Sequence, residues 1–216
     1  MNPAPARDRE DLAAFLLRLR SGQIDGRLLA AVEAVPRRRF VTADVSDAFV
    51  DAWLPIDCGQ TMPGAPWAVQ LVKALRVEEA SRILEIGTGS GYVTALLAKL
   101  GSRVVSLDRY RTLLQAASGR LKALGLANAL LELEDGRNGY PSTAPYDRII
   151  VHGAFAEVPR YFVEQLAPHG LLLCAVGQAG REQVLVRMQK VGSRFERTDL
   201  GPVRYQPLEP GIAAVL

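Results

Sequence analysis

Apolar residues recur at helical spacing in the first forty positions. In DREDLAAFLLRLRSG, Leu12, Phe15, Leu16 and Leu19 share one face, and Gly22 ends the run. DGRLLAAVEAVP predicts a second short helix stopped by Pro36. The apolar stripe of the first helix suits packing on the chain's own core or on a second copy, so a monomer and a weak homodimer both remain open. AFVDAWLPIDCGQTMPG reads as extended chain and turns. APWAVQLVKALRV predicts a helix with Trp67, Leu71 and Leu75 on one stripe.

Strand and helix patterns then alternate. SRILEIG, SRVVSLD, ALLELED, YDRIIVHGA and LLLCAVG read as strands; SGYVTALLAKLG, YRTLLQAASGRLKALGL and VPRYFVEQLAPHG read as helices between them. QVLVRMQKV predicts a further strand after a turn, and VRYQPL a last one. Short turns and strand–helix alternation predict a doubly wound α/β domain with a parallel sheet covered on both faces. The expected division is a helical cap with an adjoining turn over residues 1–64, and a Rossmann-like sheet domain over 65–216, packed as one unit.

Composition agrees with a full core: 216 residues, 49% hydrophobic, 23% charged, net charge +3. The densest basic run, Arg37-Arg38-Arg39, has no interleaved aromatics, so no dedicated nucleic-acid binding is expected. Cys58 and Cys174 form no CxxC pair, suggest no metal site, and as free thiols fit a reducing cytoplasm. No apolar run of about eighteen residues occurs, and MNPAPARDRED is too charged and proline-broken for a secretory leader. A cytoplasmic protein without a membrane span is expected.

The strongest motif is LEIGTGSGY. Gly87, Gly89 and Gly91 lie in a strand-to-helix turn, where glycine permits positive φ and close approach of a ligand. The spacing is GxGxG, not the GxGxxG of dinucleotide binders. Asp108 ends the next strand, where an acid bonds a ribose diol; the plain alternative is a helix N-cap. Asp135 and Gly136 follow the third strand, placed for an adenine edge or for a simple turn. Three such features at successive strand ends line one crevice and predict a nucleoside cofactor.

Together these features resemble S-adenosylmethionine-dependent methyltransferases. VPRRRFV, GQTMPGAP, LEIGTGSGYVTALLAKL, EDGRNGYP, APYDRIIVHGAFAEVP, LAPHGLLLCAVG and VRYQPL follow in the order of one family, and over roughly Leu28 to Leu208 the chain resembles the protein-L-isoaspartate O-methyltransferases. The resemblance implies methylation of the free α-carboxylate of an isoaspartyl residue in damaged proteins or peptides. The ester then closes unaided to a succinimide, which reopens partly to aspartate. It implies S-adenosyl-L-methionine as cofactor, held by Gln60, Thr61, Met62, Glu85, Gly87, Thr88, Gly89, Gly91, Tyr92, Asp108, Arg109, Asp135 and Gly136. An ionised carboxylate needs no general base, so positioning and desolvation are expected to carry catalysis.

The chain departs from the family pattern at GQTMPGAP. The family turn reads close to GQTISQP or GATISAP, with a hydroxyl where this chain has Pro63, which offers neither hydroxyl nor N–H. Gly64 reads as an added residue that restores reach. Thr61 is the nearest remaining hydroxyl and the first catalytic candidate, set against a role in shaping the turn. The usual GDG reads Glu134-Asp135-Gly136. His152 stands where small or hydroxyl residues are usual and is the second catalytic candidate, as donor to a carboxylate or base for another acceptor, set against a structural histidine. His169 reads as a helix-end cap. The alternative function is a relative that methylates another acceptor, or binds the cofactor with little isoaspartyl activity.

Overall fold

The central strands are apolar because helices cover both faces of their sheet. The computed structural model describes residues 6–42 and 46–213; the MNPAP opening, read above as unsuited to a leader, lies outside them. The cap comprises α1 (Ala6–Ser21) and α2 (Gly26–Ala34). Asp25 caps α2 by accepting the Leu28 amide at 3.0 Å. The stripe of α1 turns inward: Phe15 and Leu19 are buried, and Leu12 and Leu16 pack against the same core.

Two short strands, β1 (Leu54–Pro55) and β2 (Thr61–Met62), pair antiparallel, so the segment read as extended chain and turns forms a small hairpin. Then come α3 (Ala65–Leu75), β3 (Arg82–Ile86), α4 (Tyr92–Leu100), β4 (Arg103–Asp108), α5 (Arg111–Ala123), β5 (Ala129–Leu133), β6 (Tyr146–Phe155), α6 (Tyr161–Gln165), β7 (Leu166–Val176), β8 (Gln183–Val191) and β9 (Arg194–Val203). The seven-stranded sheet has the order β5-β4-β3-β6-β7-β8-β9. Its β5-to-β7 part is parallel, and β8 and β9 add antiparallel. The order reverses between β3 and β6, which opens a crevice at their C-terminal ends.

Residues of both cap helices, α3, α4 and one sheet face form one apolar cluster; Leu84, Ile86, Tyr146, Phe162 and Leu172 belong to a second on the other face. Full burial of each such side chain contributes about 1.5–3 kcal/mol.

Three sequence expectations are corrected. VPRYFVEQLAPHG is helical only over Tyr161–Gln165, and β7 starts at Leu166. Pro168 disfavours helix at Ala167, and Leu166, buried, pairs with Tyr146. His169 therefore caps no helix; it sits at φ +61 in the irregular stretch between the Tyr146 and Arg148 pairings. The last strand is Arg194–Val203, not VRYQPL, whose remainder past Val203 forms one bridge, Pro207 with Ala154. Gly192 and Ser193 make the two-residue hairpin between Val191 and Arg194. RFERTDL is polar because β9 is an edge strand, and polar edges resist pairing with other chains.

Candidate functional site

The turn after β3 is held by its own backbone. Gly87 and Thr88 amides both donate to Leu107 O, at 2.8 and 3.1 Å, and Gly91 N donates to Thr88 O at 2.9 Å. Gly87 and Gly89 have φ +95 and +53. A Cβ on Gly87 would lie 3.1 Å from the His152 Cβ; on Gly89 it would meet only Ile56, in ordinary contact at 3.4 Å. The turn thus offers bare backbone to the crevice. Gly91 has a different reason: a Cβ there would sit 2.9 Å from the Ala117 Cβ, so it serves the packing of α4 on α5 and lines neither cavity described below.

Glu85 is fully buried behind this turn and reaches neither cavity. Its Oε2 accepts the hydroxyls of Thr94 and Ser106, and its Oε1 lies 3.1 Å from His152 Nε2. Since Ser106 gives its proton to Glu85, Thr88 donates to Ser106 Oγ at 2.7 Å. Glu85 therefore acts on the crevice through Thr88 and His152. Three partners compensate the burial of a carboxylate.

Asp108 is 7% exposed. Its Oδ2 accepts the Gly89 amide at 2.8 Å and its Oδ1 the Tyr110 amide at 3.0 Å. Burial raises its pKa above the ordinary carboxylate value; the amides of Gly89, Tyr110 and Arg109 oppose the rise and Glu85 adds to it. Asp135 accepts Arg137 N at 3.0 Å and Gly211 N at 2.8 Å. Arg109 donates to the carbonyls of Gly211 and Pro210 at 2.9 and 3.3 Å, and accepts the Ala213 amide at 3.1 Å. The segment after β9 is thereby strapped over the strand ends.

Two adjoining cavities result. The smaller, about 150 Å³, is lined by Asp108, Arg109, Asp135 and Gly136 with apolar walls from Ile86, Leu107 and Leu113. The larger, about 520 Å³, is lined by Met62, Pro63, Thr88, Tyr92, Trp53 and Tyr205, among others. Gln60, Thr61, Gly87, Gly89, His152 and Gln206 line both. Thr61 and His152 thus meet at the junction, the first exposed and the second 13% exposed in its side chain. Gln60 Nε2 reaches the Tyr110 hydroxyl at 3.3 Å.

Sequence reasoning missed Trp53, Arg204, Tyr205 and Gln206. Trp53 and Tyr205 stack edge-on at 5.5 Å, and Trp67 Nε1 donates to the Tyr205 hydroxyl at 3.1 Å. Burial pushes the Tyr205 phenol up to about 12, against the Trp67 hydrogen bond, so it stays neutral. The one available signal was the aromatic in VRYQPL, read there as part of a strand. Gly64 also has a packing reason unseen in the sequence: a Cβ would lie 2.7 Å from Ala52 N and 2.9 Å from Val50 O.

The pair of cavities fits S-adenosylmethionine. Acids beside apolar walls suit a ribose and a base, and a glycine cradle leaves room at the junction. No cluster of metal-ligating side chains occurs among the described residues.

The family model for protein-L-isoaspartate(D-aspartate) O-methyltransferase matches residues 12–212. A protein-L-isoaspartate O-methyltransferase of Azorhizobium caulinodans is 44% identical over 211 residues, covering 97% of each chain. One from Parvibaculum lavamentivorans is 41% identical, covering 95% of this chain and 94% of the relative. The fold matches a solved protein-L-isoaspartate O-methyltransferase with TM-score 0.83 at 22% identity, covering 93% of this chain and 67% of that one. It also matches a putative one from Plasmodium falciparum, solved with S-adenosyl-L-homocysteine, with TM-score 0.76 at 22% identity over 91% of this chain and 97% of that one. With a matching model over nearly its whole length and relatives above 40% identity, this chain belongs to the protein-L-isoaspartate(D-aspartate) O-methyltransferase family.

Proposed function

We propose that this chain methylates the free α-carboxylate of L-isoaspartyl residues in damaged proteins, as a repair enzyme that uses S-adenosylmethionine. The observation that carries the reading is the junction of the two cavities, where Thr61, His152 and the glycine turn converge. Family membership supports the cofactor and the reaction.

When bound, the cofactor supplies an electrophilic methyl group. In our reading Asp108, Arg109, Asp135 and Gly136 line the nucleoside end, and Gly87, Thr88, Gly89 and Tyr92 the other. Gln60 and Met62 close the site from the hairpin side. The acceptor carboxylate is ionised at neutral pH, so the protein's task is orientation and exclusion of water. Thr61 Oγ1, exposed at the junction, donates to that carboxylate. Pro63, two residues on, can offer only a carbonyl, which faces Arg37 instead. The Thr61 hydroxyl therefore replaces the donor that the family turn usually carries. Glu85 fixes the His152 ring, which lines the same junction.

Methyl transfer to an isoaspartyl peptide, run beside its normal aspartyl twin, tests the proposal. Transfer to the first alone is expected. Transfer to neither, with S-adenosylhomocysteine still bound, would move the function to another acceptor. The His152–Glu85 pair favours that second reading, because a carboxylate-bound imidazole can take a proton from a hydroxyl acceptor.

We place the enzyme in the cytoplasm as a monomer or weak homodimer, as one packed unit of cap (1–64) and methyltransferase domain (65–216) without dedicated nucleic-acid binding. Among the described residues no helix is long and apolar enough to cross a membrane, and the buried stripe of α1 favours the monomer.

A further inference from the structure

We infer that Arg37 is a positioning residue for methyl transfer, setting the gap between the hairpin that carries Thr61 and the helix that begins at Tyr92. Arg37 opens a one-turn helix, Arg37–Phe40, and is 0% exposed. Its Nε donates to Ala48 O and its Nη2 to Pro63 O, both at 2.6 Å. Its guanidinium carbon lies 4.4 Å from the centre of the Tyr92 ring. Tyr92 and Pro63 both line the larger cavity.

The contact at Pro63 has no substitute within that residue. Proline has one main-chain hydrogen-bonding group, its carbonyl, and Arg37 takes it. On the far side, Gly64 abuts the backbone of Ala52 and Val50. The hairpin is therefore pinned between Arg37 and the 50–52 segment. The neighbouring arginine does other work: Arg38 pairs with Asp8 at 3.0 Å and donates to Ser46 O. Only a planar fork can reach two carbonyls and lie on a ring at once, so lysine cannot replace Arg37.

The glycine turn, by contrast, is fixed by Leu107 and Asp108, and Tyr92 keeps its edge-on packing against Phe40 at 5.5 Å when Arg37 is lost. Loss of Arg37 should therefore move the acceptor side and leave the cofactor side in place. The inference rests on the isoaspartyl reading, and wild-type activity on the isoaspartyl peptide is its control. If the wild type is inactive, that reading fails. If it is active, Arg37→Met and Arg37→Lys decide the inference, each measured for kcat, for S-adenosylhomocysteine affinity and for melting temperature. For Arg37→Met, kcat is expected to fall about 10²-fold, the cost of roughly 1 Å of misplacement, with wild-type affinity for S-adenosylhomocysteine. Arg37→Lys should show the same split with a smaller loss. An unchanged kcat in a folded Arg37→Met, or kcat and affinity falling together with the melting temperature, would overturn the inference. Should Arg37→Met fail to fold, Arg37→Lys decides by the same split, and a wild-type kcat there overturns it.

Discussion

Asp108 holds Gly89: its Oδ2 accepts the Gly89 amide at 2.8 Å across the mouth of the crevice, tying the end of β4 to the turn after β3. Asp108→Ala should therefore both loosen the turn and remove a partner of the ribose. Hydrogen bonds to charged groups contribute about 1.5–3 kcal/mol, so affinity for S-adenosylhomocysteine should drop roughly ten- to hundredfold by calorimetry. Unchanged affinity would leave Asp108 a backbone tether only.

The same carboxylate has a pH consequence. Burial raises its pKa above the ordinary 3.8, with the amides opposing. Folding thus disfavours the charged form. The wild type gains most, relative to Asp108→Asn, below that unfolded value, and the margin is lost as pH rises through the raised folded pKa. Urea melts of the two proteins at acid and neutral pH should show their stability difference moving against the wild type as pH rises. A margin that grows with pH would mean that the amides outweigh burial.

Gly89→Val should abolish binding of S-adenosylhomocysteine while the protein still folds. The site is open enough for a side chain, but φ is +53, and a β-branched residue there costs about 1–3 kcal/mol. Normal affinity in the variant would place the ligand away from the turn.

Thr61→Val should slow methyl transfer about 10²–10³-fold, the typical cost of one positioned donor, with little effect on cofactor affinity. Pro63→Ser should raise the rate, because it restores a hydroxyl while keeping the carbonyl that Arg37 holds and leaving Gly64 in its wedge. A silent Thr61→Val would show that backbone donors suffice.

The two thiols should separate cleanly. Cys174 is fully buried and its thiol is pushed up to about 12, chiefly by burial. Cys58 is only half-buried, although burial and then Asp57 raise its pKa as well. A thiol-specific reagent should modify Cys58 slowly in the native protein and reach Cys174 only on unfolding. Two native equivalents would mean that the β7 region opens readily.

The parallel half of the sheet was legible because strands buried on both faces read as apolar runs, as in RILEI and RVVSLD. The edge strand β9 was not, since its solvent-facing pattern ERTD looks like a loop. In the site, residues next to the glycine turn could be read from local spacing. Glu85 and Gly91 were expected among the cofactor-holding residues, but Glu85 faces a buried hydroxyl network and Gly91 faces Ala117, partners that come from elsewhere in the chain. Arg37 read as one of three arginines in the densest basic run; its burial depends on carbonyls of Ala48 and Pro63 that no periodicity announces. Tyr205 met Trp53 through tertiary packing alone.

The strap after β9 means that the pair of cavities is closed by the end of the described chain. Gly211 holds Asp135, Arg109 holds Pro210 and Gly211, and Gln206 lines both cavities. A fragment cut after Val203 would retain all seven sheet strands yet expose the strand ends to water. Synthesis and proteolysis therefore read out differently from folding: a chain can be complete as a sheet and still be inert as a catalyst, so circular dichroism would pass a clipped preparation that a turnover assay would reject.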